Sequence, residues 1–430
     1  MKIIKKINIL FITISFLTLM SCDLEGGESL NGASTSSISD DLSRGELPQA
    51  MAGVFSDMRV GLATQVDVQS IFGREYYYLT GSDPRFEGDV VTGNLDDNTF
   101  YTTTPWGARY ASIKNINLAL AGLANTSADF SAAEIAGVRG VLNTLKAHEL
   151  LMIANNQGEN GLRIDVSDPD NLGSFVSYGD ALTAIAGLLS DAGADLAAAG
   201  ATLPFDLTDG YQVSFLEFNK GLAARVEAYR GNYGSVLTLL GDSFMDMSGD
   251  LTTGVYHTFS LTGADLANPL FGALNQTAIV RVSHSSFVDD ALAGDARVDK
   301  VVLRDAPTEA SGLVGTHDVW IYQSNVDNVP MMRNEELILL SAEANHITDP
   351  AAAVDAINVV RNAAGLGDYA GATTPDALVD EILFQRRYSL FGESHRWVDM
   401  RRFGKLSDLP NDRATDNVPA AVPIPANENQ

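Results

Sequence analysis

Trp320 stands in the stretch THDVWIYQSNVDN, with Tyr322, Gln323 and Asn325 beside it and Asp327 just beyond. A flat aromatic face flanked by amides and a carboxylate suits a pyranose, which offers an apolar C–H face and a rim of hydroxyls. A second set has the same chemistry: Tyr76, Tyr77 and Tyr78, followed by Asp83 and Arg85. Three consecutive tyrosines cannot all face one way on a strand or a helix, so at least one of them is expected to be structural. Both sets are candidate ligand-binding residues.

Catalysis would need a positioned acid, base, nucleophile or metal. The six histidines, at 148, 257, 284, 317, 346 and 395, are scattered, and no His-Glu-x-x-His, Gly-x-Ser-x-Gly or Gly-Lys-Ser/Thr loop occurs. Paired acids such as Asp96 with Asp97, or Asp165, Asp168 and Asp170, arise readily in so acidic a chain; DVSDPDN leaves a calcium site of oxygen ligands open, though its spacing departs from an EF-hand loop. Gly365 to Tyr369 reads as a helix C-cap and not as part of a dinucleotide loop. The expectation is a non-enzyme with no cofactor and no bound metal.

Acidic residues number 55 against 28 basic, a formal charge of -27, which argues against nucleic acid and against anionic membrane surfaces as general partners. The lone cysteine, Cys22, rules out an intrachain disulfide framework. It closes the leader MKIIKKINILFITISFLTLMSC, in which Lys2, Lys5 and Lys6 precede an apolar run too short for a comfortable transmembrane span. Leu19-Met20-Ser21-Cys22 resembles the lipobox of bacterial lipoproteins, so residues 1–21 are expected to be removed and Cys22 acylated. Removal takes away three lysines and no acid, giving a mature charge of -30. Asp23, Glu25 and Glu28 are similar to a signal for the outer cell surface, and equally to an ordinary solvated tether.

Residues 22–45 are rich in Gly, Ser, Asp and Glu and read as a flexible tether. From Glu46 onward, apolar residues recur at helical spacing over Tyr110–Leu123, Ala132–Ile153, Tyr178–Ala199, Phe215–Arg230, Arg333–His346, Ala351–Ala363 and Pro375–Phe391. The stretches 203–215 and 248–328 change to Gly, Thr, Asn and Asp with short β-branched runs, which reads as long loops with a few small strands. Helices come in pairs around Gly231-Asn232-Tyr233 and around Asp349-Pro350, with Gly221, Ala224, Ala342 and Ala344 allowing close approach. The expected fold is mainly α, one domain over residues 46–430 built from tetratricopeptide-like helical hairpins with inserted loops.

Four C-terminal motifs resemble the SusD/RagB family of outer-membrane nutrient-binding lipoproteins, in that family's order: VPMMRNEELILLSAEANH, AAVDAINVVRNAAGL, EILFQRRYSLFGESHRWVDMRRFGK and VPIPANE. Weaker, collinear matches are TPWGARYASIKNINLAL, KGLAARVEAYRGNYGSVL and Asp295-Ala296-Arg297, whereas residues 46–95 match only loosely. Asn362 stands where the family often has a second Arg, and Ser389 where it has Glu. The resemblance implies a lipid-anchored protein of the outer membrane, facing the exterior, that binds oligosaccharide or peptide and sits like a lid on a SusC-like TonB-dependent transporter. It places Trp106 and Trp397 in family packing motifs, hence in the core, and leaves Trp320 as the first candidate for stacking. The charge favours a neutral oligosaccharide over a polyanion. The rival classes are a periplasmic tetratricopeptide-like scaffold lipoprotein binding only proteins, and a lipoprotein hydrolase, for which no catalytic constellation is present.

The densest cationic run, FQRRYSLFGESHRWVDMRRFGK, looks like an anion site by composition. Glu393 and Asp399 lie within it and Asp380 and Glu381 just upstream, so its charge is expected to be paired locally and its role architectural.

Overall fold

The structure, a computed structural model, describes residues 35–81, 83–200, 203–263 and 265–429. The leader 1–21, Cys22 and the acids that follow it lie outside the described residues. The helices are α1 Thr35–Asp40, α2 Leu47–Asp57, α3 Leu62–Phe72, α4 Phe100–Asn125, α5 Ala132–Gln157, α6 Tyr178–Ala199, α7 Phe215–Tyr229, α8 Tyr233–Gly241, α9 Ser285–Asp289, α10 Asn334–Asn345, α11 Pro350–Ala363, α12 Pro375–Ser389 and α13 Arg396–Arg402. The fold is mainly α, as expected, with a few strands set among the hairpins.

Helix starts follow their sequence signals. Ser131 with Glu134 and Ser214 with Glu217 form reciprocal capping boxes on α5 and α7. The Asp349 side chain accepts from the Ala352 N–H at 3.1 Å, and Pro350 opens α11. At its other end Gly365 takes φ +83°, which lets the Leu366 N–H reach back to the Arg361 carbonyl at 2.9 Å, so the Gly365 cap is real. The hairpins α7–α8 and α10–α11 pack through the small residues Ala224, Ala342 and Ala344, all buried.

α1 falls inside the stretch expected to be tether, and that expectation is corrected for residues 35–45. A Cβ on Gly122 of α4 would come within 1.7 Å of the Ile38 carbonyl oxygen, so only glycine admits the helix there. The Leu42 N–H then donates to the Gly122 carbonyl at 3.2 Å, and Leu42 is fully buried. α2 and α3 lie outside the runs of helical period found in the sequence. On α3 the buried set includes Gln65, Asp67 and Gln69 among Val66, Val68 and Ile71, which erases any apolar stripe.

The long loop region also holds more regular structure than expected. β1 Tyr76–Thr80, β5 Ile279–Ser283, β7 Leu313–Val319 and β6 Val301–Ala310 form an antiparallel sheet in that spatial order, beside the small pairs β2 Leu162–Arg163 with β3 Phe175–Val176 and β4 Gly254–His257 with β8 Val329–Arg333. Tyr77 lies opposite Val282, and Val282 opposite Asp318. β6 breaks register between Leu303 and Thr308, where Arg304 turns in to pair with Asp318 and donates to the Gln276 carbonyl at 2.7 Å.

Most of the cationic run is paired with carboxylates. Arg386 Nε donates to Asp399 at 2.6 Å, and Arg402 bridges Asp399 at 3.0 Å and Glu343 at 2.6 Å. Arg225 on α7 grips Glu336 on α10 at 2.6 Å, and Arg333 holds Glu393 at 2.6 Å. Trp397 is fully buried and Trp106 nearly so, as the motifs implied. Ser389, in place of the family's Glu, is also buried and accepts from Arg297 Nη1 at 3.0 Å. Burial alone would raise the carboxyls, but Arg225 holds Glu336 down at about 2, and Arg386 with Arg402 holds Asp399 down at about 2.

Two predictions follow from this lattice. Arg402→Met strands the fully buried Glu343 carboxylate and should cost about 3–5 kcal/mol in urea unfolding; a loss under about 1 kcal/mol would mean the pair is dispensable. His395 is pushed down to about 3 by burial, against the pull of Glu336, and His148 is lowered for the same reason. Their unfolded counterparts take up protons below pH 6.5, so folding stability falls as pH drops below that value. His395 contributes up to about 1.4 kcal/mol per pH unit, and His148 adds to the slope in the same direction. Between pH 6 and 5, His395→Gln should flatten this slope by one histidine's share, and an unchanged slope would show that His395 is not held neutral.

Candidate functional site

β1 alternates its side chains, and this sorts the three tyrosines. Tyr77 and Leu79 join Val280 and Val282 in the core, and the Tyr77 hydroxyl donates to Asp412 at 3.0 Å. Tyr76 points the other way but is equally buried, against Phe391, with its hydroxyl donating to Asp67 at 2.8 Å. Tyr78 is half-buried: the Arg281 guanidinium lies 4.6 Å from its ring centroid and Phe86 meets it edge-on at 4.6 Å. Tyr76 and Tyr77 are therefore corrected to core residues. Asp83 and Arg85 pair with each other at 2.5 Å in the turn beyond β1, and Arg85 covers the Phe100 ring at 4.6 Å.

Trp320 follows β7 and is held by its backbone N–H, which donates to the Lys300 carbonyl at 2.8 Å. Its ring is half-buried, tilted against Phe271 with centroids 6.4 Å apart. It lines a cavity of about 420 Å³ with Asp299, Lys300 and Gln323, walled on the other side by Val360 and Ala363 of α11. Tyr322, two residues on, points inward: it is 7% exposed, packs with Leu62, Val66 and Leu270, and its hydroxyl has no hydrogen-bond partner. Tyr322 too is corrected from candidate ligand residue to core. Gln323 is exposed, and the backbone N–H groups of Gln323 and Ser324 donate to Asp327 at 2.6 and 2.9 Å. Asn325 is half-buried, and its carbonyl accepts from the Asn268 N–H at 2.7 Å, which ties this turn to the segment carrying Phe271.

The charged groups near Trp320 are largely spent on each other. Arg297 is taken by Asp295 at 2.7 Å and by Gln385 at 2.7 Å, and Glu335 by Arg333 at 2.7 Å. Lys300 Nζ donates to the last carbonyls of α12, Tyr388 at 2.8 Å and Ser389 at 2.6 Å, and burial pushes its amine down to about 8. What the cavity offers is an aromatic face, an amide and a carboxylate, a set that suits a neutral hydroxylated ligand.

The two candidate patches are joined by Arg281, which is not among the residues expected to bind ligand. Arg281 stacks on Tyr78, pairs with Asp67 at 2.7 Å and donates to the Leu270 carbonyl at 3.2 Å, next to the Phe271 that meets Trp320. Its position in the alternating run AIVRVSH, opposite Tyr78, was the available signal. In DVSDPDN, Asp165 accepts from the Ser167 hydroxyl at 2.8 Å and Asp168 from the Asp170 N–H at 3.0 Å, so these acids serve the loop's own turns. Among the described residues no group of three acids, histidines or cysteines is placed to hold a metal ion.

Helical hairpins with a small sheet and an aromatic-faced cavity set among them define a recognisable architecture. Residues 309–424 match the model of the SusD family. SusD-like protein P38 of Formosa agariphila is 34% identical over 91 residues, 19% of this chain and 18% of that relative. A SusD superfamily protein from Bacteroides vulgatus superposes with a TM-score of 0.67 at 16% identity, over 90% of this chain and 96% of its own. Surface glycan-binding protein A from Bacteroides thetaiotaomicron, in complex with laminarihexaose, superposes with a TM-score of 0.69 at 14% identity, over 90% and 97%. At such identities the likeness to solved structures is one of fold. The chain thus has the SusD-like fold over most of its length, and its residues 309–424 carry the family's sequence signature, as the motifs implied.

The inward turn of Tyr322 gives a test of the site's boundary. Tyr322→Phe removes a hydroxyl that is buried without a partner, so stability should hold or rise by up to about 1 kcal/mol in chemical unfolding. A marked loss of stability would reveal a partner for that hydroxyl and reopen the assignment.

Proposed function

We propose that the protein is a non-enzymatic lipoprotein of the outer cell surface that captures a neutral oligosaccharide at Trp320 and passes it to a SusC-like TonB-dependent transporter. The observation that carries this reading is the half-buried Trp320 ring on a cavity of about 420 Å³ whose cations are spent on internal partners. A solved protein of the same fold holds laminarihexaose, which supports a glycan as the ligand class. A mature charge of -30 opposes polyanionic glycans. Gln323 and Asn325 are kept as contacts beside Trp320, and Tyr78, Asp83 and Arg85 as a second candidate patch. Acylated Cys22 would supply the anchor, with residues 46–430 acting as one domain. The hairpin side, where Leu237 and Ile347 stay exposed, is the face assigned to the transporter.

Trp320→Ala should weaken binding of the oligosaccharide, with laminarihexaose as the first probe, by on the order of ten-fold or more in calorimetry while the melting temperature holds. Unchanged affinity would remove Trp320 from the site. Protease shaving of intact cells should release the protein, and complete protection would overturn the surface location in favour of a periplasmic scaffold.

A further inference from the structure

A second cavity, of about 180 Å³, opens between α2, the turn at Thr208–Tyr211 and β4. Its walls are apolar and aromatic, from Phe55, Met58, Tyr211, Tyr256 and Met331. Its two formal charges, Arg59 and Asp265, neutralise each other at 2.7 Å, and Arg59 also donates to the Thr258 carbonyl at 2.6 Å.

Two polar groups in this wall are without partners. His257 is 6% exposed, and its ring makes no hydrogen bond among the described residues; its closest aromatic neighbour is His148, with ring centroids 6.3 Å apart. The Tyr211 hydroxyl likewise has no partner among the described residues, although its ring is wedged against Phe55 at 5.5 Å and Phe215 at 5.2 Å. Tyr211 is only partly buried, so both groups are open to the cavity, where an occupant can supply the hydrogen bonds that the chain does not. Behind His257 lies a smaller chamber of about 40 Å³ lined by Gln69, His148 and His395, so the His257 ring separates an outer pocket from an inner one.

We propose that this outer cavity is a second binding site, for a single neutral pyranose unit, in which His257 and Tyr211 hydrogen-bond ring hydroxyls and Tyr256 and Phe55 cover the C–H faces. Burial, reinforced by the nearby Arg109 and Arg59 guanidiniums, holds His257 well below its ordinary value, so the ring is neutral and carries one donor and one acceptor nitrogen. Such a pair suits a hydroxyl, which both gives and takes a hydrogen bond. The internal Arg59–Asp265 pair leaves no spare charge to recognise an ion. The site is separate from Trp320 and does not depend on the reading given to that residue.

The experiment uses the Trp320→Ala protein, so that binding at the first site does not mask the second, and titrates it with D-glucose, D-galactose and D-mannose by saturation-transfer NMR. At least one of the three should bind saturably. Adding Tyr211→Phe, which removes a hydroxyl with no internal partner, should weaken that binding by about three- to ten-fold, the share of one hydrogen bond. Adding His257→Phe should abolish it, with the melting temperature of both variants reported alongside. No saturable binding by any of the three hexoses, or binding untouched by both substitutions, would overturn the proposal and leave water as the cavity's occupant. Loss of laminarihexaose affinity in the Trp320→Ala protein bears on the first site alone, so failure of either reading is distinguishable from failure of the other.

Discussion

Guanidinium groups buried against carboxylates hold this molecule's halves together. Arg225 joins α7 to α10, Arg402 joins α13 to α10, and Arg386 ties α12 to α13, each through charge-assisted hydrogen bonds in a nearly water-free interior. Such pairs contribute little net stability over apolar packing, but once built they make each partner indispensable to the other. They also fix which helix faces which, because a guanidinium fork and a carboxylate meet well in only one geometry. Arg333, at the end of β8, extends this frame by gripping Glu335 at the start of α10 and Glu393 between α12 and α13.

The architectural role of the C-terminal cations was legible in the sequence; their partners were only partly so. Asp399 does serve Arg386, and Asp380 serves Lys405, as a local reading suggests. Glu393, however, goes to Arg333, sixty residues away, and Glu381 goes to Arg361. Carboxylates near a cation in sequence compete with those that packing brings close, and one-dimensional spacing does not rank the two. The helices from α4 to α8 and from α10 to α12 were legible because each has an apolar face or a cap, whereas the short α9 falls inside the stretch read as loop. α3 was not, since it buries glutamines and an aspartate that serve Arg281 and Asn156.

The candidate site was legible in composition and not in direction. A tyrosine two positions from Trp320 looks equally available, yet Tyr322 faces Leu62 and Val66 because the turn after Trp320 reverses the chain toward α3. The alternation along β1 foretold that a tyrosine would be lost to the core; that both Tyr76 and Tyr77 are lost depends on Phe391 and Val282 covering the two faces. Arg281 and Phe271, which join the patches, sit in stretches whose glycines, asparagines and short β-branched runs gave no sign that they would meet.

β6 lies at the outer edge of the four-stranded sheet, ten residues long, with its free side toward solvent. A row of unpaired backbone groups of that length is a template on which a second copy could add a strand. The break in register falls in the middle of it: Arg304 is drawn inward to Asp318, and Pro307 brings no N–H to offer. Between any two copies of this chain, the interruption leaves no continuous ten-residue edge on which a strand could be added, and so limits self-association.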